Sequence, residues 1–244
     1  MQKSIIGIDI GGTKIRAILC NKKKILRAKE IRTPKSLDGF RKALMSLIKL
    51  LRRPTSKLGI AVPGRAKGNI LISAANLPYV KNLNLSSLFK NLIIKTIKVD
   101  HDARCFLRAE LASNALLRKG RVLGFTFGTG IGRAFAKNGK ILKIKKFEYP
   151  ESWEVGYQKI RGLEDNKKLA DFLAKHLISL INKYCPDIII IGGGVANRKN
   201  FIEALRHSLP RRQAGAECWD VKSNIVKSRL GQNAVAIGAA LLYK

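Results

Sequence analysis

A single acid, Asp9, interrupts the apolar run Ile5–Leu19 and stands two residues ahead of Gly11-Gly12-Thr13-Lys14. Strand interiors disfavour both Asp and Gly, so this pattern needs a cause. A glycine turn between strands presents consecutive backbone N–H groups, and without Cβ atoms a phosphate can approach them closely. Thr13 adds a hydroxyl donor and Lys14 a cation. A carboxylate at the end of the strand, where Asp9 stands, can hold hydrated Mg²⁺ against those phosphates.

The same arrangement recurs 117 residues later. Gly11-Gly12-Thr13-Lys14-Ile15-Arg16-Ala17 aligns with Gly128-Thr129-Gly130-Ile131-Gly132-Arg133-Ala134, and Asn21 aligns with Asn138. Each copy reads as strand, glycine turn, strand, Asn/Lys turn, strand. Two such copies predict two similar domains whose glycine turns clamp the β- and γ-phosphates of a nucleotide. For one copy alone, an ordinary hairpin turn is an equal reading; the repetition favours phosphate binding. A third cluster, Gly192-Gly193-Gly194, follows the buried run Asp187–Ile191, where α/β folds bind nucleotides. There is no G-x-G-x-x-G after a strand and no Walker sequence, so neither a dinucleotide fold nor a P-loop enzyme is expected.

These turns need strands and helices to hold them. Ser4–Ile10, Lys14–Cys20, Ile25–Ile31, Leu58–Val62, Ile93–Val99, Arg121–Phe127, Arg133–Lys137 and Asp187–Ile191 read as strands. Leu37, Phe40, Leu44, Leu47 and Leu51 recur at helical spacing within Ser36–Leu51. Ala103–Leu117, Lys168–Lys183, Arg198–Leu209 and Gln232–Leu242 also read as helices. The organisation expected is an N-terminal α/β domain over 1–104, a C-terminal α/β domain over 105–230, and a final helix, 231–244, packing back toward the first.

The 244 residues are 46% hydrophobic, which is enough to bury a substantial core. No apolar run reaches membrane-spanning length, and Met1-Gln2-Lys3-Ser4 leads into a strand without a signal-peptide pattern. The four cysteines are dispersed with no C-x-x-C, so neither a zinc site nor a disulfide framework is expected, and a cytoplasmic location follows. The net charge of +32 is extreme. It fits nonspecific binding of polyanions, or simply a lysine-rich solvated surface, because the cations are spread along the chain.

Taken together, "GIDIGGTKIRAIL", "GIAVPGRAKGNI", "ANLPYVKNLNLSSLF", "VDHDARCFLRAE", "GFTFGTGIGRAF", "IIIIGGGVAN" and "NAVAIGAALL" resemble the ROK family (repressors, open reading frames and sugar kinases) in order and over nearly the whole chain. The resemblance implies two actin-like, ribonuclease H-like α/β domains around a central nucleotide and substrate cleft. It also implies transfer of the γ-phosphoryl of ATP, with Mg²⁺, to a hexose hydroxyl. Asp9, Gly11, Gly12, Thr13, Lys14, Gly128, Thr129, Gly130, Gly193 and Gly194 would then hold the nucleotide, with Asp9 reaching Mg²⁺ through water. "VDHDAR" matches the segment of the catalytic aspartate, which places the general base at Asp102; the same carboxylate could also cap the following helix. Asn76, His101, Glu154 and Glu164 would join Asp102 on the sugar side.

The chain departs from the family pattern on that side. His101 replaces an asparagine, Tyr157 replaces the histidine of E-x-G-H, and the cysteine-rich zinc motif is missing, so no zinc site is expected. Arg133 stands where the family tends to have a third glycine. The leading expectation is a ROK-type sugar kinase. The alternative is a degenerate sugar or nucleotide sensor, or a polyanion-binding regulator, without kinase activity. The first glycine turn comes so early that no helix-turn-helix precedes it, which argues against specific DNA recognition. A homodimer is compatible with the sequence, and a membrane partner is not expected.

Overall fold

The computed structural model describes residues 4–21, 24–51, 55–74, 76–90, 92, 94–144, 146–209 and 224–243. The chain divides into two compact units: Met1–Ala109 with Asn233–Lys244, and Glu110–Gln232.

Unit 1 begins with β1 (Ile5–Ile10), β2 (Lys14–Asn21), β3 (Lys24–Arg32), α1 (Leu37–Leu50) and β4 (Lys57–Val62). A small antiparallel sheet follows, made of β5 (Arg65–Lys67), β6 (Ile70–Ser73) and β7 (Lys81–Asn84). Then come one helical turn, α2 (Leu85–Leu88), and β8 (Thr96–His101), which leads into α3 (Asp102–Ser113). The main sheet has the order β3-β2-β1-β4-β8. Its first three strands are antiparallel, and β4 and β8 run parallel to β1. Helix α1 starts where Ser36 Oγ accepts the N–H of Gly39, a cap for an otherwise unpaired donor. Phe40, Ala43, Leu44 and Leu47 then fall on one face and meet Ile6, Ile8 and Ile10 in the core. Burying each large apolar side chain contributes about 1.5–3 kcal/mol.

Unit 2 holds β9 (Arg121–Phe127), β10 (Ile131–Lys137), β11 (Lys140–Leu142), α4 (Glu154–Ile160), α5 (Asn166–Tyr184), β12 (Ile188–Gly192), α6 (Phe201–Ser208) and β13 (Ile225–Lys227). Its sheet order is β11-β10-β9-β12-β13, again three antiparallel strands followed by two parallel ones. The sheet of one unit therefore repeats the topology of the other, as the 117-residue offset predicts. Phe125, Phe127, Leu169, Leu173 and Phe201 centre the second core.

The last helix, α7 (Ala234–Ala240), belongs to unit 1 and lies on the sheet there. Two glycines make that approach feasible. A Cβ at Gly7 would stand 2.0 Å from the carbonyl oxygen of Ala236, and one at Gly59 would stand 1.9 Å from that of Ala239. The small residues of "NAVAIGAALL" thus let a helix backbone touch strand backbones.

Several boundaries differ from those the sequence predicts. Strand β8 begins at Thr96 rather than Ile93, a residue outside the described ones, and runs on through His101. The helix expected to reach Leu117 stops at Ser113, because Asn114 Oδ1 accepts the N–H of Leu116 at 3.0 Å and starts a separate 3₁₀ turn. Strands β5–β7 and β11 and helix α4 are additions, since pieces this short carry little periodicity. Within α4, Gly156 makes room for the Phe172 ring, 2.8 Å from where a Cβ would stand. The expectation of no disulfide framework is corrected at one position: Cys20 and Cys105 are buried thiols outside any disulfide, whereas Cys185 is disulfide-bonded. Connectivity of dispersed cysteines cannot be deduced from their spacing. Among the described residues no helix is long and apolar enough to cross a membrane.

Candidate active site

In unit 1 the parallel strands β1 and β8 deliver two carboxylates. Asp9 is the penultimate residue of β1, and Asp102 is the first residue of α3, immediately after β8. Burial is the largest influence on Asp9 and the negative charge of Asp102 the next, and together they push its pKa up to about 7. The Arg16 cation pulls the other way, and Glu30 adds a smaller upward push.

The neighbours of Asp102 fix its place. Its Oδ1 accepts the N–H of Ala103 at 2.7 Å, so it satisfies one of the open donors of the first helical turn. The catalytic and capping readings are therefore compatible. Two residues earlier, Asp100 is buried and gripped by two cations: Oδ1 takes Arg104 Nε at 2.6 Å and Oδ2 takes Arg108 Nη2 at 2.7 Å. Burial raises the pKa of that carboxyl, but Arg104 and Arg108 outweigh it and hold the group below the usual carboxylate range. Asp100 Oδ1 also accepts the backbone N–H of His101 at 2.9 Å. The His101 ring is buried, with Nδ1 3.2 Å from Asp102 Oδ1 but without hydrogen-bond geometry, so among the described residues that nitrogen has no hydrogen-bond partner.

The first glycine turn is closed by the N–H of Gly11 to the carbonyl of Lys14 at 2.9 Å. Asn76 lies over it, its Cβ only 2.5 Å from where a Cβ of Gly12 would stand. Asn76 is exposed at that point, and only glycine at position 12 leaves it the space. The Lys14 ammonium pairs with Glu30 at 2.7 Å and remains largely exposed. Arg16, half-buried, pairs with the same Glu30 and donates to Asn233 Oδ1 at 3.1 Å. Asp9, Gly11, Gly12, Asn76, His101 and Asp102 thus all lie at one end of the unit 1 sheet.

In unit 2 two glycine loops meet at the ends of β9 and β12. A Cβ on Gly193, whose φ is +90°, would fall 2.3 Å from the carbonyl oxygen of Phe127, the residue before Gly128. At Gly128 and at Gly194, by contrast, an added Cβ would meet no atom within 4 Å. The carbonyl oxygens of this turn are held from α4: Tyr157 Oη donates to Gly128 at 2.9 Å and Gln158 Nε2 donates to Thr129. Tyr157 is fully buried, and burial pushes its pKa up to about 12, so it is a neutral donor here.

Glu154, the first residue of α4, is buried in an ion pair with Arg133 of β10. Arg133 is 1% exposed. Its Nη2 donates to Glu154 Oε1, and its Nη1 reaches Glu151 Oε1 at 2.5 Å and the carbonyls of Tyr149 at 3.3 Å and Phe147 at 3.4 Å. Burial lowers the arginine's pKa and Glu151 opposes the shift. Glu164 is not part of this network. It is exposed in the turn between α4 and α5, a turn pinned by Arg198 through the carbonyls of Arg161 and Leu163. Among the described residues no three His, Cys, Asp or Glu side chains converge as a metal site.

Sequence reasoning missed Asp100, Arg104, Arg108, Glu151 and Gln158. The spacing of Arg104 and Arg108, four residues apart within the expected helix, was the available signal, since it puts both side chains along one helical face, while Asp100 lies in the strand before it.

The sequence profile of the ROK family matches residues 5–144 and 158–244. The chain belongs to the ROK family. The gap in the match, 145–157, coincides with the Arg133-bound segment. Among curated relatives, the chain is 21% identical to an N-acetyl-D-glucosamine kinase of Vibrio parahaemolyticus, covering 97% of this chain and 98% of the relative. It is 29% identical to the N-acetylgalactosamine kinase AgaK of a Shewanella species, covering 82% and 84%. The crystal structure of a ROK family glucokinase from Streptomyces griseus, in complex with glucose and AMPPNP, superposes with a TM-score of 0.82 at 20% identity, covering 98% of each chain. The chain shares the actin-like fold of these ROK kinases.

Proposed function

We propose that this ROK protein is an ATP-dependent sugar kinase that transfers the γ-phosphoryl group of ATP to a hexose hydroxyl. The observation that carries the reading is the pairing of roles at one end of the unit 1 sheet. Asp102 stands at the start of α3 beside the buried His101 ring, and Asp9 is the penultimate residue of β1, next to the glycine turn.

Asp102 is the general base. It accepts the proton of the attacking hydroxyl as oxygen reaches phosphorus, a contribution worth ~10²–10⁴ in rate. Asn76 and His101 are the polar neighbours that orient sugar hydroxyls. Two coupled carboxylates favour a cation, which fits hydrated Mg²⁺ held through Asp9. Bound there, Mg²⁺ would neutralise phosphate charge. Gly11, Gly12, Thr13 and Lys14 offer unit 1's phosphate donors, and Gly128, Thr129, Gly130, Gly193 and Gly194 are the candidate nucleotide-binding residues within unit 2, through backbone N–H groups, hydroxyls and one ammonium. Open space at Gly128 and Gly194 supports this part of the reading, because a phosphate or ribose needs it.

On the sugar side Glu154 is the carboxylate acceptor. Glu164, exposed and outside the Arg133 network, is the weaker of the two acids in this role. The relatives named as acetylhexosamine kinases and the glucokinase bracket the substrate as a neutral hexose or its N-acetylamino derivative.

The test is a panel of glucose, mannose, N-acetylglucosamine, N-acetylgalactosamine and N-acetylmannosamine with Mg-ATP, followed by ADP release and by the mass of the sugar product. Formation of one sugar monophosphate per ADP supports the kinase. ATP binding without transfer to any sugar overturns it in favour of a sensor.

A further inference from the structure

We propose that Arg133 is a positioning residue that sets sugar specificity: it fixes one oxygen of Glu154 and leaves the other to accept a hydrogen bond from a neutral sugar. This inference rests on the reading of Glu154 as a substrate acceptor. Among the described residues, both bonds that Glu154 receives fall on Oε1, one from Arg133 Nη2 and one from the backbone N–H of Glu151 at 3.0 Å. Neither falls on Oε2.

The guanidinium is a planar fork whose Nη2 holds Glu154 Oε1 while Nη1 is spent on other acceptors, so it fixes the position of Oε1 relative to its other acceptors. The same group gathers the carbonyls of Phe147 and Tyr149 and the carboxylate of Glu151. One buried cation therefore ties together residues 147, 149, 151 and 154. Trp153 completes the assembly. Its ring lies 5.5 Å from the Arg133 guanidinium and stacks parallel on His176 of α5 at 4.5 Å, and its Nε1 donates to Glu151 Oε2 at 3.1 Å.

Charge decides what such a carboxylate selects. An unpaired buried carboxylate would reward a cationic ligand most strongly. Glu154 is already compensated by Arg133, and the second acid, Glu151, is about half exposed and screened by water. Oε2 can still accept from a hydroxyl or an amide N–H, but an ammonium gains little extra there. The site accordingly favours neutral hexoses and N-acyl derivatives over free amino sugars.

The experiment compares wild type with Arg133→Lys, Arg133→Gln and Glu154→Gln, using glucose, N-acetylglucosamine and glucosamine with Mg-ATP. Steady-state kinetics and melting temperature are measured for each. Arg133→Lys keeps the charge but loses the fork, so KM for the neutral sugar should rise about tenfold while kcat and the KM for ATP stay within about threefold. Arg133→Gln uncovers the Glu154 charge, so the neutral-to-glucosamine ratio of kcat/KM should fall about tenfold or more. Should Arg133→Gln fail to fold, the KM-against-kcat split of Arg133→Lys carries the test. An Arg133→Lys protein that melts like wild type and keeps its sugar KM overturns the inference. Glu154→Gln separates the two claims. If it leaves sugar KM unchanged, the acceptor reading of Glu154 is wrong; if it raises sugar KM while Arg133→Lys does not, only the role of Arg133 falls.

Discussion

Asp9 and Asp102 lie close enough in unit 1 for one carboxylate to feel the charge of the other, and Asp9, the more enclosed, is raised to a pKa of about 7. Two sheet strands and a helix start bring them together, although they are 93 residues apart in sequence. In the proposed kinase reading, that coupling favours a bound cation and leaves one carboxylate to serve as the base.

The coupling has a consequence for the metal-free protein. An unfolded Asp titrates near 3.8, whereas folded Asp9 titrates near 7. Below the lower value both states are protonated and the group costs nothing. Between the two values the folded state holds a proton that the unfolded state has released. Stability from this residue therefore falls as pH rises and is fully lost above the folded value. About three pKa units correspond to up to ~4 kcal/mol. In urea denaturation with EDTA, the stability of Asp9→Asn relative to wild type should increase from pH 4 to pH 8. A pH-independent difference would show that Asp9 is not perturbed.

The approach of α7 to the sheet gives a packing prediction. A methyl group at Gly59 would meet a helix carbonyl at 1.9 Å, and backbone cannot swing aside as a side chain can. Gly59→Ala should destabilise by about 3 kcal/mol or more. Gly68, where an added Cβ meets nothing within 4 Å but φ is +56°, is a control for backbone strain alone. Gly68→Ala should cost only about 1 kcal/mol. Equal melting temperatures for the two variants would refute the close packing.

The charge of +32 gives a prediction about salt. Binding to DNA or RNA should be independent of sequence, and its affinity should fall by about tenfold or more between 50 and 200 mM salt, because only phosphate contacts are made. Titrations of two unrelated duplexes at several salt concentrations check this. A hundredfold preference for one duplex that survives high salt would instead favour a regulator.

Much of the fold was legible because its signals are local. The offset of 117 residues foretold the common topology of the two sheets, since Lys14 and Ile131 start β2 and β10 at that same offset. It also aligns Arg16 with Arg133, and both are enclosed arginines paired with carboxylates. The partners of Arg133 were not legible. Glu151 and Glu154 lie 18 and 21 residues further on, beyond any helical or strand spacing, and only the return of the chain brings them to β10. The same holds for Asn76 over Gly12, where contact depends on a loop with no periodicity. The proposal of Asp102 as base comes from motif order, whereas the grip of Arg104 and Arg108 on nearby Asp100 needed the helix in place.

The most direct test is Asp102→Asn assayed with Mg-ATP and the sugar that the panel identifies, beside ATP affinity measured without sugar. The account predicts that kcat falls by ~10² or more while ATP affinity stays within about threefold, because the base is lost and the glycine turns are untouched. A variant with wild-type kcat would contradict it.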